Sequence, residues 1–328
     1  MVSTLDCLGP RAASLPPVAE REVPTISVAM PAYQAERWIG ATLESVLNQT
    51  SPPDEVVVVD DGSTDGTAAI ARGFGAPVRV VQQPNAGASA AYNRAFRESA
   101  GSYIAMCPAD DLWEPRKLEF QLEVLCAHPE VDVAFGRARY FGLEERDFVG
   151  PAASGILNCG DFFREMYRTD VVPAPTAVVR RQLFDRLGGF REDLACEDYE
   201  FWMRALRYGA VFFHDRRLLV RLRQHGGNLS AQTVPMWEMN HQIHTLYAQD
   251  LADEDLARRT LANDLRTIGR AHLGLGHVAY ARQAYRASLA QLPHLSAVAW
   301  TLVLSLPGAG GPLRRLAARR RARAEATP

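Results

Sequence analysis

The chain has 328 residues, 47% hydrophobic and 23% charged, with a formal net charge of −2. That balance excludes a disordered or fibrous protein and gives no reason to expect nucleic-acid binding by the whole chain. The length suffices for one large core or two smaller ones. Five scattered cysteines (Cys7, Cys107, Cys126, Cys159, Cys196) without Cys-x-x-Cys spacing argue against a zinc site or a disulfide framework and suit a reducing cytosol.

Residues 1–23 contain several prolines and no long apolar run, so they read as a flexible N-terminal arm and not as a signal peptide. From Thr25 the pattern alternates: strand ISVAM, a helix from about Ala35 to Gln49, strand EVVVV, a helix to about Phe74, strand VRVV, a helix over Ala88–Ser99 and strand YIAM. Strands alternating with helices imply a parallel sheet covered on both faces, an α/β fold. In the first helix Trp38, Ile39, Leu43, Val46 and Leu47 recur at helical spacing, which assigns this stripe to the core.

The run VVVVDDGSTDGT, Val56–Thr67, takes a doubly buried strand straight into two carboxylates and a helix start. Open α/β sheets bind ligands at the carboxyl ends of their strands, so Asp60 and Asp61 point toward a site. Their other reading is a structural turn, with Gly62 and Gly66 allowing the bend, Ser63 or Thr64 capping the next helix and Asp65 at its positive end. Neither Gly-x-Gly-x-x-Gly nor a Gly-Lys-[Ser/Thr] loop is present, so phosphate charge would need a metal or side chains.

A second acidic pair, Asp110 and Asp111, follows the strand in GSYIAMCPADDLWEPRKLEFQ, ahead of a helix that Pro115 opens. Carboxylates there suit Mg²⁺ or Mn²⁺ bridging to substrate phosphates; alternatively Asp111 caps the helix and Asp110 is a loop residue. After Tyr140 the alternation weakens into strands TAVV and AVFF and helices CGDFFREMY and EDYEFWMRALRYG. Within LGGFREDLACEDYEFWMRALRYG, Glu197 and Asp198 open an amphipathic helix near a surface, as helix-end charges or as site residues. In RLRQHGGNLS, Arg223 and His225 are either phosphate or metal contacts or a solvated turn.

From about Val234 to Leu292 the pattern is helical, and LSAVAWTLVLSLP leads into a tail with Arg314, Arg315, Arg319, Arg320, Arg321 and Arg323. The apolar run is short for a transmembrane helix. Two readings stand for this end: a peripheral contact with an anionic membrane, or a core helix followed by a disordered tail.

In this order, SVAMPAYQAERWIGATLESVLNQT, VVVVDDGSTDGT, NAGASAAYNRAF and GSYIAMCPADDLWEPRKLEFQ resemble the inverting family 2 glycosyltransferases of GT-A fold, closely over Pro24–Leu125 and more loosely to about Ser230. The resemblance implies a Rossmann-like mixed sheet flanked by helices. It divides the chain into an arm (1–23), a nucleotide-sugar half (24–130), an acceptor half (131–233) and a helical extension with a basic tail (234–328). It implies transfer from a nucleotide-diphosphate sugar to a hydroxyl of a saccharide or lipid-linked acceptor, in polysaccharide or glycoconjugate synthesis, in the cytoplasm or at the inner face of the cell membrane.

By the same resemblance, Pro31, Ala32, Tyr33 and Asp61 hold the nucleotide base, and Asn93, Asp110 and Asp111 belong to the nucleotide-sugar site. Asp110 takes the divalent cation, Mn²⁺ or Mg²⁺. Asp198 is the catalytic base, Glu197 its competitor or an acceptor ligand, and Arg223 and His225 lie near the diphosphate. Two positions depart from the family pattern: Gln34 replaces an Asn, and Pro108 stands at the first Asp of the metal motif. Pro108 motivates an alternative, a catalytically weak sugar-nucleotide-binding or scaffold protein; a nucleotidyltransferase is disfavoured by the missing basic phosphate loop.

Overall fold

In the computed structural model, residues 24–194, 197–226 and 233–305 are described, with the side chains of Glu197 and Thr233 excepted. The chain divides into two compact units, Met1–Gly226 and Gly227–Pro328. The N-terminal arm, Cys196 and the arginine tail lie outside the described residues.

The first unit begins with β1 (Ile26–Ala32), α1 (Ile39–Leu47), β2 (Glu55–Asp60), α2 (Thr67–Gly73), β3 (Val78–Gln82), α3 (Ala88–Glu98) and β4 (Tyr103–Met106). Strands β1 to β4 are parallel, with β1 central between β2 and β4, as expected from strands joined through helices. Val56–Val59 are all fully buried, which is why this strand reads as an unbroken apolar run.

Then come β5 (Leu112–Trp113), α4 (Lys117–Ala127), β6 (Val133–Gly142), β7 (Arg146–Asp147), β8 (Gly155–Ile156), α5 (Cys159–Arg168), β9 (Val178–Arg180), α6 (Arg181–Leu187), α7 (Glu197–Arg207) and β10 (Phe212–Gln224). The sheet order is β3-β2-β1-β4-β9-β6-β10-β5, with β7 on β6 and β8 on β10. Strand β9 is antiparallel to both β4 and β6, so the parallel half continues into a mixed sheet. The sheet is therefore mixed as the resemblance implies: β1–β4 are parallel, β6 and β10 pair parallel with each other, and β9 runs antiparallel between the two sets.

One pairing decides where the second acidic pair goes. Immediately after Asp111, β5 runs antiparallel to β10, with Leu112 opposite Arg221 and Trp113 opposite Val220. This ties the end of the β4 segment to the end of β10, which carries Arg223 and leads to His225.

The second unit contains α8 (Thr233–Tyr247), α9 (Glu254–Gly274), α10 (Val278–Gln291) and α11 (Leu295–Val303). Its core includes Ala281, Tyr285, Ala297 and Leu304, with Trp300 stacked on Tyr285 at 6.2 Å. Between α8 and α9 the buried His244 lies 2.6 Å from Asp264, and burial of that carboxyl is outweighed by its bonds to His241 and His244, which hold it below the usual range.

Candidate active site

At the end of β2 the backbone turns through Gly62, whose φ is 77° and whose added Cβ would stand 2.8 Å from the Asn85 amide, so only glycine fits. Both neighbouring carboxylates are buried and tied. Asp60 accepts from the Ser63 amide (3.1 Å) and Gln82 Nε2 (2.8 Å). Asp61 accepts from Gln83 Nε2 (2.8 Å) and from the amides of Ala86 and Gly87 (both 2.9 Å). Asp61 thereby holds the 83–87 segment against the strand end. Its amide also donates to the Ala32 carbonyl at 2.8 Å, next to Tyr33, whose ring is 55% exposed.

The cap of α2 differs from expectation. The N-cap position is held by Gly66 with no side-chain cap, and Asp65 just before it accepts from the Thr67 amide at 3.0 Å; burial opposes the charge, but bonds from Thr67 and from the Glu36 amide hold the Asp65 carboxyl below its ordinary range. Ser63 and Thr64 instead hold Gln34: the Gln34 amide donates to Ser63 Oγ (3.0 Å) and the Thr64 amide to Gln34 Oε1 (2.9 Å). Gln34 has φ of 50°, the left-handed region where Asn is enriched, and these bonds stabilise Gln in its place.

At the end of β4 the two carboxylates part company. Asp111 turns inward and accepts from the Arg223 amide at 2.7 Å; burial first, and then the charge of Asp110, push its carboxyl well above the usual range. It does not cap α4. Asp110 keeps 24% side-chain exposure, with its Oδ2 3.0 Å from Nε2 of His225, itself 25% exposed. Arg223 Nε donates to the Asp110 carbonyl at 2.8 Å.

The Arg223 guanidinium also lies over Trp38 at 4.4 Å and over Phe141 at 4.6 Å, while Trp38 stacks on His225 at 5.5 Å and carries Arg37 at 4.2 Å. Trp38 therefore leaves the core stripe to which its spacing assigns it. Ile39, Leu43 and Val46 are fully buried, but Trp38 stands at the half-exposed N-terminal boundary of α1.

On the second half of the sheet, Asp198 sits in the first turn of α7, its Oδ1 accepting from the Tyr199 amide at 2.8 Å. The Tyr199 hydroxyl donates to the Met166 carbonyl near the end of α5 (2.7 Å), locking the start of α7 to that helix. Two residues beyond α5 lies Asp170, whose carboxyl is raised well above the ordinary range by burial and then by the charge of Asp198. Tyr140 on β6, opposite Leu222 of β10, has its hydroxyl raised chiefly by burial, and the charges of both Asp111 and Asp170 act on it in the same direction. One tyrosine thus feels both the carboxylate after β4 and the one just past α5.

Residues 27–188 match the family model described as Glycosyl transferase family 2. Through this region the chain belongs to glycosyltransferase family 2. An uncharacterized glycosyltransferase of Rickettsia typhi is 26% identical over 241 residues, 71% of this chain and 74% of that protein. Among solved structures, S. aureus TarS (residues 1–349, in complex with UDP-GlcNAc) superposes with a TM-score of 0.64 at 18% identity, covering 92% of each chain. The mannosyltransferase PcManGT of Pyrobaculum calidifontis, in complex with GDP-Man and Mn²⁺, superposes with a TM-score of 0.57 at 21% identity, covering 96% of this chain and 89% of its own. These likenesses give the GT-A architecture.

Within this glycosyltransferase the fold brings Asp110, Asp111, Arg223 and His225 together, and sets Pro31, Ala32, Tyr33 and Asp61 at the adjoining ends of β1 and β2. Asn93 goes elsewhere. Its side chain is buried, donates to the Phe190 carbonyl (2.9 Å) and Glu192 (2.8 Å), and accepts from the Phe190 amide (2.8 Å). An added Cβ at Gly189, φ 83°, would lie 2.6 Å from Asn93 Oδ1, so the Gly-Gly-Phe turn is built around this amide. The side chain of Glu197 lies outside the described residues. Trp38, Tyr140 and Asp170 were missed by the sequence reading; the one signal for Trp38 was its position beside Arg37 at the very start of the helix.

Proposed function

We propose that this enzyme transfers a sugar, with inversion, from a nucleotide-diphosphate sugar to an acceptor hydroxyl. The observation that carries the reading is the Asp110–His225 contact at 3.0 Å, on the strand edge that also bears Asp61 and Tyr33. Asp198 takes the hydroxyl proton as the acceptor oxygen attacks the anomeric carbon, and the bond from that carbon to the diphosphate oxygen breaks with its electron pair leaving on the nucleoside diphosphate. Asp61 and the Pro31–Tyr33 segment receive the base, and Arg223, fixed over Trp38 and Phe141, brings positive charge to the diphosphate end.

The donor set suits a divalent cation. A half-exposed carboxylate beside an imidazole nitrogen supplies two protein ligands, and Mn²⁺ or Mg²⁺ ordinarily completes its shell with waters and substrate phosphates. Among the described residues no cluster of three or more His, Cys, Asp or Glu suited to a metal occurs, so a metal–nucleotide complex fits this edge better than a cage made wholly of protein. Asp110 and His225 would hold the ion, which when bound neutralises charge on the departing diphosphate.

The test is a thermal-stabilisation screen of UDP, GDP and dTDP sugars with and without Mn²⁺. Mn²⁺-dependent stabilisation by one donor class in the wild type, lost in Asp110→Ala, is expected; equal metal dependence in both removes Asp110. Pro108 favours a second reading, binding with little turnover. Donor hydrolysis or transfer sinks it, whereas binding without turnover across a broad acceptor panel supports it.

A peripheral membrane contact is part of the proposal. On α11, Leu295 (87% exposed), Val298 and Leu302 share an outward side at i, i+3 and i+7, and six arginines follow in the sequence. No helix of the described residues is long and apolar enough to cross a membrane. Co-sedimentation with phosphatidylglycerol vesicles, reduced by the Leu295→Glu/Leu302→Glu pair and by high salt, is expected; binding unchanged by both refutes the contact.

A further inference from the structure

The segment 31–38, from the end of β1 to the start of α1, has two ends with different neighbours. Pro31, Ala32 and Tyr33 stand at the edge proposed to receive the base, whereas Trp38 lies against the end of β10. Between them the backbone is pinned to the turn after β2. The Ala35 amide donates to Thr67 Oγ1 (2.8 Å), the Glu36 amide to Asp65 Oδ2 (3.1 Å), and the Gly66 amide to Glu36 Oε2 (2.8 Å). With the two bonds of Gln34 to Ser63 and Thr64, they leave this stretch little freedom to move apart from the strand end. The Trp38 amide closes it, donating to the Ala35 carbonyl at 2.9 Å.

Across the contact stands His225. The ladder between β6 and β10 stops at Gln224, opposite Gly142, and His225 is the next residue. Its imidazole stacks on the Trp38 indole with centroids 5.5 Å apart and planes inclined by 26°, while its Nε2 lies 3.0 Å from Asp110 Oδ2. The indole is itself held in place, with the Arg223 guanidinium 4.4 Å and the Arg37 guanidinium 4.2 Å from its centroid. A flat aromatic surface can support the imidazole in this way without competing for the nitrogen that it directs at Asp110.

We infer that Trp38 is a positioning residue: its indole holds the His225 imidazole beside Asp110 and so ties the cation-binding edge to the segment that receives the base. This deepens the proposed function and rests on its reading of Asp110 and His225 as the residues that would hold the divalent ion. A histidine free to turn about its side-chain bonds must be ordered when a metal–nucleotide complex binds. The stacked ring is ordered beforehand, so less freedom is lost at that moment. Replacing a residue that orients a metal ligand costs about 10- to 100-fold in metal affinity.

The experiment is calorimetric titration of the full chain with UDP and with GDP, each with and without Mn²⁺. The proteins are wild type, Trp38→Leu, Trp38→Phe, His225→Ala and the Trp38→Leu/His225→Ala pair, and the quantity read is the gain in nucleotide affinity that Mn²⁺ brings. Trp38→Leu should reduce that gain by about tenfold. Trp38→Phe keeps a flat ring and should retain most of it, and the double variant should lose no more than His225→Ala alone. Should Trp38→Leu fail to fold, Trp38→Gln, which suits the half-exposed position, takes its place.

A wild-type gain in folded Trp38→Leu, with the gain lost in His225→Ala, overturns the inference and leaves the proposed ion site standing. Additive losses in the double variant overturn it too, because the two residues would then act independently. Equal losses in Trp38→Phe and Trp38→Leu do the same, since the flat ring would not be what acts. No loss in His225→Ala, or no gain from Mn²⁺ in the wild type with either nucleotide, removes the ion reading beneath the inference and the inference with it.

Discussion

The chain carries two adjacent-aspartate pairs at strand ends on either side of β1, Asp60–Asp61 after β2 and Asp110–Asp111 after β4, and the fold treats them in opposite ways. In the first pair both side chains are buried, and between them they accept five hydrogen bonds from within the unit. In the second, Asp111 is drawn inward by the Arg223 amide while Asp110 retains access to solvent beside His225. A carboxylate that accepts several internal bonds fixes the shape of its strand end, as Asp61 does for the edge proposed to receive the base; one held at a partly open edge is itself available to a cation or phosphate. The same dipeptide therefore has different work at the two ends, and what separates them is the neighbouring backbone: the 83–87 segment folds over the first pair, and β10 runs beside the second.

The strongest test of that distinction lies at a third carboxylate on an accessible edge. Replacing Asp198 with Asn keeps its size and its capacity to accept from the Tyr199 amide but removes the base. A loss of kcat/KM of about 10²- to 10⁴-fold with an unchanged thermal midpoint is the expected result. Near-normal transfer by a folded Asp198→Asn protein would move the base elsewhere and break the contrast between structural and chemical carboxylates.

The half of the fold that reads most clearly from sequence is the half where local pattern and burial agree. The unbroken Val56–Val59 run, the alternation to β4 and the acidic strand ends all appear in the structure where the pattern puts them. What was not legible depends on contacts between residues far apart in the chain. Trp38 shares its helical spacing with true core residues, and only the return of β10 past α1 sets it between Arg223 and His225. Asn93 sits in a motif that resembles a donor site, yet the Gly-Gly-Phe turn, nearly a hundred residues on, occupies its amide. Asp170 has no motif at all; its place follows from the packing of α5 against α7. That neither Ser63 nor Thr64 caps α2 follows from the bonds both make to Gln34, which leaves Gly66 at the cap and Asp65 before it holding the Thr67 amide.

Beneath the second pair lies a cost that the first does not carry. Lys117 at the start of α4 is fully buried, donates to Gln121 Oε1 at 2.8 Å and sits over the Trp113 ring at 4.0 Å; burial lowers its ammonium to about 7. The unfolded chain keeps that proton to about pH 10, whereas the folded chain releases it near 7, so the unfolded state binds more protons between these values and stability rises with pH across that window. At about 1.4 kcal/mol per pH unit the effect amounts to a few kcal/mol. Denaturant titrations from pH 7 to 10 should follow this rise in wild type and lose it in Lys117→Met, which should also be the more stable protein at pH 7. A parallel pH dependence in the two proteins would mean that Lys117 is solvated in solution.

The smallest effect is expected where the contrast is sharpest. Asp60 has no part in the proposed chemistry, and its two oxygens are matched to two donors, the Ser63 amide and Gln82 Nε2. Asn at this position retains one acceptor and sets a buried NH₂ where an oxygen stood, facing the NH₂ of the exposed Gln82. Rotation of the Gln82 amide would relieve this only by giving up the exposed bond that its Oε1 accepts from Arg72, 2.5 Å away. A destabilisation of about 1–3 kcal/mol follows from one unsatisfied buried polar group. At temperatures where the variant is folded, kcat/KM should match that of wild type, because the Ser63 contact still shapes the turn and Asp61 still holds the 83–87 segment. A large loss of donor binding with stability intact would reverse the assignment, placing Asp60 among the ligand-facing carboxylates and erasing the difference between the two strand ends.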